Sequence, residues 1–254
     1  MKTPLLASLQ AARAAKRPVA LATDLKSGAQ ALVTPDSAEG DLALDAQALA
    51  SVRRSLADDK SGAIEAGGKR LFVQVFNPPL RMIVVGAVHI AQALVPIASL
   101  AGYAVTVIDP RRAFATPERF PEVAISHEWP DEVLPKLAPD RRTAIVTLTH
   151  DPKIDDPALE AALRSDVFYV GALGSSRTHA KRLERLGAKG FGAADFARIH
   201  GPVGLSIGAK SPAEIAISIL AQITQVLHGR EMAEAKAARE AGKPGARELA
   251  KEAP

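Results

Sequence analysis

Four stretches of this chain set glycine, hydroxyl, guanidinium, carboxylate or imidazole groups at the end of an apolar run, where an anionic ligand could be held. In the first, the run over residues 80–85 stops at Gly86 and a helix begins just beyond His89. Helix N-terminal N–H groups stabilise a phosphate when glycines let the backbone come close. Gly86 occupies the first glycine position of such a loop, Val88 the second and Ala91 the third. Alanine is tolerated at the third position, whereas the branched Val88 stands where a pyrophosphate would press. Asp109 ends the next apolar run, 23 residues after Gly86, at the distance where an acidic group can accept hydrogen bonds from ribose hydroxyls. Arg111 follows it and could bind phosphate; the plainer alternative is a solvated surface charge.

The third stretch places His150 and Asp151 after a run at 143–148, with Asp155 and Asp156 close behind. These groups could coordinate a hard cation or orient a ligand; alternatively, Asp155 or Asp156 caps a helix beginning at Pro157. The fourth is the best anion-site candidate. Gly171 and Gly174 permit close approach, Ser175 and Ser176 offer hydroxyls, and Arg177 offers a planar fork suited to phosphate or carboxylate. Its alternative is a helix N-cap by Ser175 or Ser176, with Arg177 paired to a neighbouring acid. His89, His150, His179 and His200 all fall on expected loops or helix starts along one edge, which predicts a concave polar site. No histidine pair has helical metal-ligand spacing, so no zinc site is expected.

The elements that must position these residues read as a doubly wound, mostly parallel α/β sheet. From residue 78 onward, β-rich runs at 80–85, 104–108, 123–126, 143–148 and 167–170 alternate with helix-period segments at 90–101, 131–137, 157–164 and 178–186. Continuous apolar strands, each followed by a helix, indicate a parallel sheet covered on both faces. A further helix starts with Ser211-Pro212-Ala213-Glu214, a capping box, and Gly229 is placed to end it. That helix is so broadly apolar that it must bury its surface in the domain or across a homodimer interface. Residues 1–77 read as a small N-terminal α/β domain: helices at 5–15 and 45–57, strands at 19–23, 31–33 and 71–76, closed by Asn77-Pro78-Pro79. The expected domains are therefore 1–77, 78–230 and a charged tail at 231–254, helical or disordered.

Composition narrows the function classes. The 254 residues, 47% hydrophobic and 24% charged, suffice for one large core or a medium core with a small companion. A net charge of +4, from 32 basic and 28 acidic residues, suits a small anionic ligand and is too mild for a polybasic nucleic-acid binder. Aromatic residues at 4% leave few platforms for stacking bases. There is no cysteine, which rules out disulfides, zinc thiolates and thiolate nucleophiles. Residues 1–17 lack an apolar signal core and no apolar run reaches membrane-spanning length, so a cytoplasmic location is expected.

Seven segments bring a family into view. Val84-Val85-Gly86-Ala87-Val88-His89, Val107-Ile108-Asp109-Pro110-Arg111, the run from Phe114 to Phe120, Thr149-His150-Asp151, Gly171-Ala172-Leu173-Gly174-Ser175, Arg177-Thr178-His179 and Ile199-His200-Gly201-Pro202 resemble, in order and spacing, the Rossmann-like C-terminal domain of the XdhC/CoxI family. The resemblance implies an accessory protein, a molybdenum cofactor chaperone that binds molybdopterin and delivers it to a xanthine-dehydrogenase-like molybdoenzyme. Residues 1–77 lack the Ser-Gly-Gly-Cys-type motif usual in the family's amino-terminal domain, and Val88 replaces a glycine common in its phosphate loop. Two other readings stand beside it. One is an NAD(P)-dependent oxidoreductase, against which Val88 and the lack of a Tyr/Lys or paired acid–base constellation count. The other is a nucleotide-binding regulatory protein.

Overall fold

The strands of the chain sort into two sheets, and the computed structural model, which describes residues 3–241, divides at Pro78 into two compact units. The first unit runs α1 (Thr3–Ala14), β1 (Val19–Asp24), β2 (Gln30–Val33), β3 (Ala38–Gly40), α2 (Ala46–Ala57), β4 (Gly62–Ala66) and β5 (Lys69–Phe76). Its sheet is antiparallel, in the order β3-β2-β1-β5-β4. Alternation along β1 decides which helix covers which face. Val19 and Leu21 pack with Leu5 and Leu9 of α1, while Ala20 and Ala22 pack with Val52 and Leu56 of α2. Neither β3 nor β4 was expected from the sequence. Both are edge strands, β3 wholly exposed and β4 burying only Ala66 fully, so neither carries an apolar pattern.

The second unit continues with β6 (Arg81–Val85), α3 (His89–Leu100), β7 (Ala104–Ile108), β8 (Ala124–Ser126), α4 (Pro130–Leu137), β9 (Thr143–Thr147), α5 (Pro152–Leu163), β10 (Tyr169–Ala172), α6 (Ser176–Gly187), α7 (Ala193–Phe196), β11 (Ile199–His200) and α8 (Pro212–Ala241). Its six strands are all parallel, in the order β11-β10-β9-β6-β7-β8. Met82 and Val84 of β6 face a core completed by Leu94 of α3 and by Ile219 and Ile223 of α8. Ile83 and Val85 face the opposite core, completed by Leu134 of α4, Leu159 of α5 and Leu186 of α6. Both faces are covered, which is why the strands read as unbroken apolar runs. The chain moves outward from β6 to β7 and β8, then returns to β9 on the other side. The topological switch point therefore lies between β6 and β9, and ligands of open α/β sheets bind outside the carboxyl ends of the strands at such a point.

Three expectations are corrected here. The helix expected at Pro157 begins at Pro152 and carries Pro157 in its interior; its N-cap is Asp151, whose side chain accepts from Lys153 N–H at 2.9 Å, not Asp155 or Asp156. The capping box at Ser211 forms, with Ser211 N–H donating to Glu214 Oε2 (2.9 Å) and Glu214 N–H to Ser211 Oγ (3.3 Å). Gly229, however, does not end α8, which runs on to Ala241 and so includes part of the expected tail; residues 242–254 lie outside the described residues. Ala216, Ile219 and Ile223 of α8 are buried within this unit, where α8 packs on α3, so this part of its apolar surface needs no second copy. The third correction concerns His200, expected on a loop, which lies in the short strand β11.

Candidate functional site

At the carboxyl end of β6, Gly86 adopts φ +110°. A Cβ there would lie 2.5 Å from Cγ2 of Thr149, in the turn after β9. Its bare backbone thus admits the neighbouring loop across the switch point. Val88 is the N-cap residue of α3 and makes no side-chain cap bond, and His89, the first residue of α3, is exposed.

Asp109 is fully buried at the end of β7 and both its oxygens carry donors. Ala87 N–H donates to Oδ2 (2.8 Å), while Arg111 donates from its backbone N–H and Nε to Oδ1 (both 2.9 Å) and from Nη2 to Oδ2 (2.8 Å). Burial pushes this carboxyl up, but the Arg111 hydrogen bonds and the Ala87 N–H outweigh it and hold Asp109 below its ordinary value. Arg111 is spent on Asp109, with its guanidinium 4.6 Å from the ring centre of Phe114. These two residues tie the β7 turn to the β6 turn, and the Asp109 oxygens meet donors of the chain where a ribose was expected.

The turn after β9 is organised by Asp155, 1% exposed, in the first turn of α5. Oδ1 accepts from Thr149 Oγ1 (2.7 Å) and Thr149 N–H (3.3 Å), and Oδ2 from His150 N–H (3.1 Å). His150 itself sits at φ +64°, a left-handed conformation uncommon outside glycine, in which histidine is enriched alongside asparagine and aspartate. Burial pushes the Asp155 carboxyl up, against the pull of these hydrogen bonds and of Arg182. Asp156 takes Arg185 in a bidentate pair, from Nε at 2.5 Å and Nη2 at 2.9 Å. Asp155 and Asp156 thus serve the turn and α6 and neither caps a helix.

On the other side of β9, Gly171 lies within β10, where a Cβ would meet Val203 and Tyr169, and Gly174 backs onto Thr178. Ser175 is the N-cap of α6, accepting from Thr178 N–H at 3.2 Å. His200 stacks on Tyr169, ring centres 4.8 Å apart and 7° from parallel, and burial lowers its pKa. His179 packs against Gly201, with Nδ1 buried and without a partner among the described residues; burial and then the charge of Arg182 lower its pKa. The four histidines therefore have different surroundings. His179 and His200 are packed beside the β10 and β11 ends, and His89 is exposed at α3.

His150 and Arg177 of the expected set do come together. With Lys181, Arg182 and Arg185 of α6, and with Asp155, they line a recess of about 150 Å³ at this edge. Sequence reasoning missed the three α6 cations, although a signal was present: Arg177, Lys181 and Arg185 recur every fourth residue, on one helix face. A larger groove of about 890 Å³ lies at the other edge, between α4 and α5, near the residues that lead into β9 and β10. It is remote from the strand ends where parallel sheets bind ligands.

Comparison with known proteins adds the family. The XdhC Rossmann domain family matches residues 82–223, more than half of the chain and most of the second unit. The chain belongs to the XdhC family. Similar proteins include YqeB of Escherichia coli (strain K12), an uncharacterized protein 34% identical over 66% of this chain and 31% of its own length. The molybdenum cofactor insertion chaperone PaoD of the same organism is 32% identical over 61% of this chain and 43% of its own. A probable xanthine dehydrogenase subunit of Bacillus subtilis (strain 168) is 33% identical over 61% of this chain and 45% of its own. The chain thus aligns with less than half the length of each of these relatives. A solved structure described as a xanthine dehydrogenase from Bacillus halodurans shares the fold, with a TM-score of 0.70, 24% identity, and coverage of 91% of this chain and 68% of that one.

Proposed function

We propose that the protein binds the molybdenum cofactor at the carboxyl edge of its parallel sheet and serves the maturation of a xanthine-dehydrogenase-like molybdoenzyme as an accessory protein, without catalysing a net reaction. The observation that carries this is the recess on α6. Four cations and His150 gather there, at the sheet edge where ligands of this architecture bind. An anionic cofactor supplies the counter-charge that Arg177 and Lys181 lack among the described residues. The names borne by PaoD and by the Bacillus subtilis relative agree with this reading. The competing nicotinamide reading finds less support, because the Asp109 oxygens are already occupied and Thr149 fills the space above Gly86.

The test is to mix the purified full chain with molybdenum cofactor and, separately, with NADH and NADPH. The expected result is saturable quenching of pterin fluorescence and slower oxidative loss of the cofactor, with no stoichiometric nicotinamide binding. Failure to protect or bind the cofactor overturns the proposal, as does nicotinamide binding coupled to oxidation of a substrate.

A further inference from the structure

Within the recess one side chain has more donors than the protein gives it acceptors. Arg182 is 2% exposed. Its Nη2 donates to Leu173 O at 2.7 Å and lies 3.9 Å from Asp155 Oδ2, while Nε and Nη1 are buried with no partner among the described residues. Asp155 is held elsewhere, by the Thr149 hydroxyl and the N–H groups of Thr149 and His150. A buried guanidinium with open donors calls for an acceptor from outside the chain, since buried polar groups are otherwise almost always paired.

Charge and size define that acceptor. Arg185 is neutralised by its bidentate pair with Asp156, and Arg182 has Asp155 beside it. Arg177 and Lys181 remain, with no acidic partner for either among the described residues. The two charges left over match a phosphomonoester, which carries about −1.5 to −2 at pH 7, and exceed the single charge of a diester. The volume of 150 Å³ is well below the roughly 300 Å³ at which pockets begin to enclose a whole small molecule. One end of a ligand enters; the remainder stays outside.

We infer that the recess is a seat for a terminal phosphomonoester, with Arg182 donating from the floor and Arg177 and Lys181 closing on the remaining oxygens. This deepens the reading given above, since the phosphate of the pterin cofactor would be the group seated, but the seat is defined by the oxyanion and not by the pterin.

The experiment is calorimetric titration of the full chain, in a phosphate-free buffer, with inorganic phosphate, glycerol phosphate and dimethyl phosphate. Saturable binding of the first two in the millimolar range or tighter is expected, with the diester about tenfold weaker and each of Arg177→Ala and Lys181→Ala weakening the monoester by up to about tenfold. Both variants are at exposed positions, so their folding is not at stake; Arg182→Lys is added with a thermal melt to check that it folds. No saturable monoester binding, equal binding of the diester, or wild-type affinity in the Arg177→Ala/Lys181→Ala double variant overturns the seat. If phosphate binds as described but the molybdenum cofactor does not, the cofactor reading falls and the seat stands. If the monoester binds as described but the cofactor binds the double variant as tightly as wild type, the seat stands and its assignment to the pterin phosphate falls.

Discussion

Substituting Gly86 separates two explanations of a glycine that a phosphate loop and a packed turn would both require. The geometry assigns it to packing: φ is +110°, and a Cβ would sit 2.5 Å from Thr149 Cγ2, with Thr149 N at 3.2 Å and Leu148 C at 3.4 Å behind it. In Gly86→Ala the backbone strain costs about 1–3 kcal/mol. Forcing the methyl against Thr149 costs about 1–3 kcal/mol more. The total of about 2–6 kcal/mol lowers Tm by roughly 4–24 °C at about 2–4 °C per kcal/mol for a domain of this size. Thr149→Ser removes Cγ2 while keeping Oγ1, which holds Asp155 at 2.7 Å. In that background the steric part should largely vanish and the strain should remain, so a double-mutant cycle by urea denaturation should give a coupling of about 1–3 kcal/mol. Should Gly86→Ala melt with the wild type, or cost the same with and without Cγ2, the packing role is refuted.

Asp109→Asn should lower Tm at neutral pH by the equivalent of about 1–3 kcal/mol, since Ala87 N–H and the partly exposed Arg111 lose a charged acceptor. Because the folded carboxyl is held below its ordinary value, its contribution is complete above the unfolded value near pH 3.9 and is lost as pH falls through the lower folded one. The gap in Tm between wild type and variant should therefore close below about pH 4. Ser175→Ala, by removing the cap of α6, should cost about 1 kcal/mol in thermal or chemical melts. Tyr169→Phe should cost about 0.5–1.5 kcal/mol through the lost hydrogen bond to Gln222, 2.6 Å long; a neutral result would mean that the hydroxyl is replaced there by water.

The parallel sheet was legible because its strands are buried on both faces: all five residues of β9 are buried, as are four of five in β6, and a run of that kind has few other homes. The edges of the first sheet were not. Ala38-Glu39-Gly40 contains no large apolar residue and pairs only through its backbone with β2, information that periodicity does not carry. The start of α5 was misplaced because Asp-Pro occurs twice between β9 and the middle of the helix, at Asp151-Pro152 and Asp156-Pro157, and both fit the N-cap and first-turn preference. Pro157 is carried inside the helix at the cost of one backbone hydrogen bond. Gly229 likewise looked like a terminator, but a helix interior accepts a glycine for about 1 kcal/mol, and α8 continues through it.

The candidate site was legible by place more than by residue. The strand ends named the edge at which His150 and Arg177 come together, yet most of the polar groups expected to meet a ligand there meet the chain instead: Asp109 meets Ala87 and Arg111, Asp151 and Ser175 cap helices, and His200 lies on Tyr169. Loop residues at the end of a buried sheet have backbone donors to satisfy before any ligand arrives, and short acidic and hydroxyl side chains meet that need. Long cations on a helix flank do not, because they offer donors only. That asymmetry explains why the cationic donors left open at this edge lie on α6, in Arg177, Lys181 and above all the buried Arg182, rather than in the glycine turns that a motif search finds first.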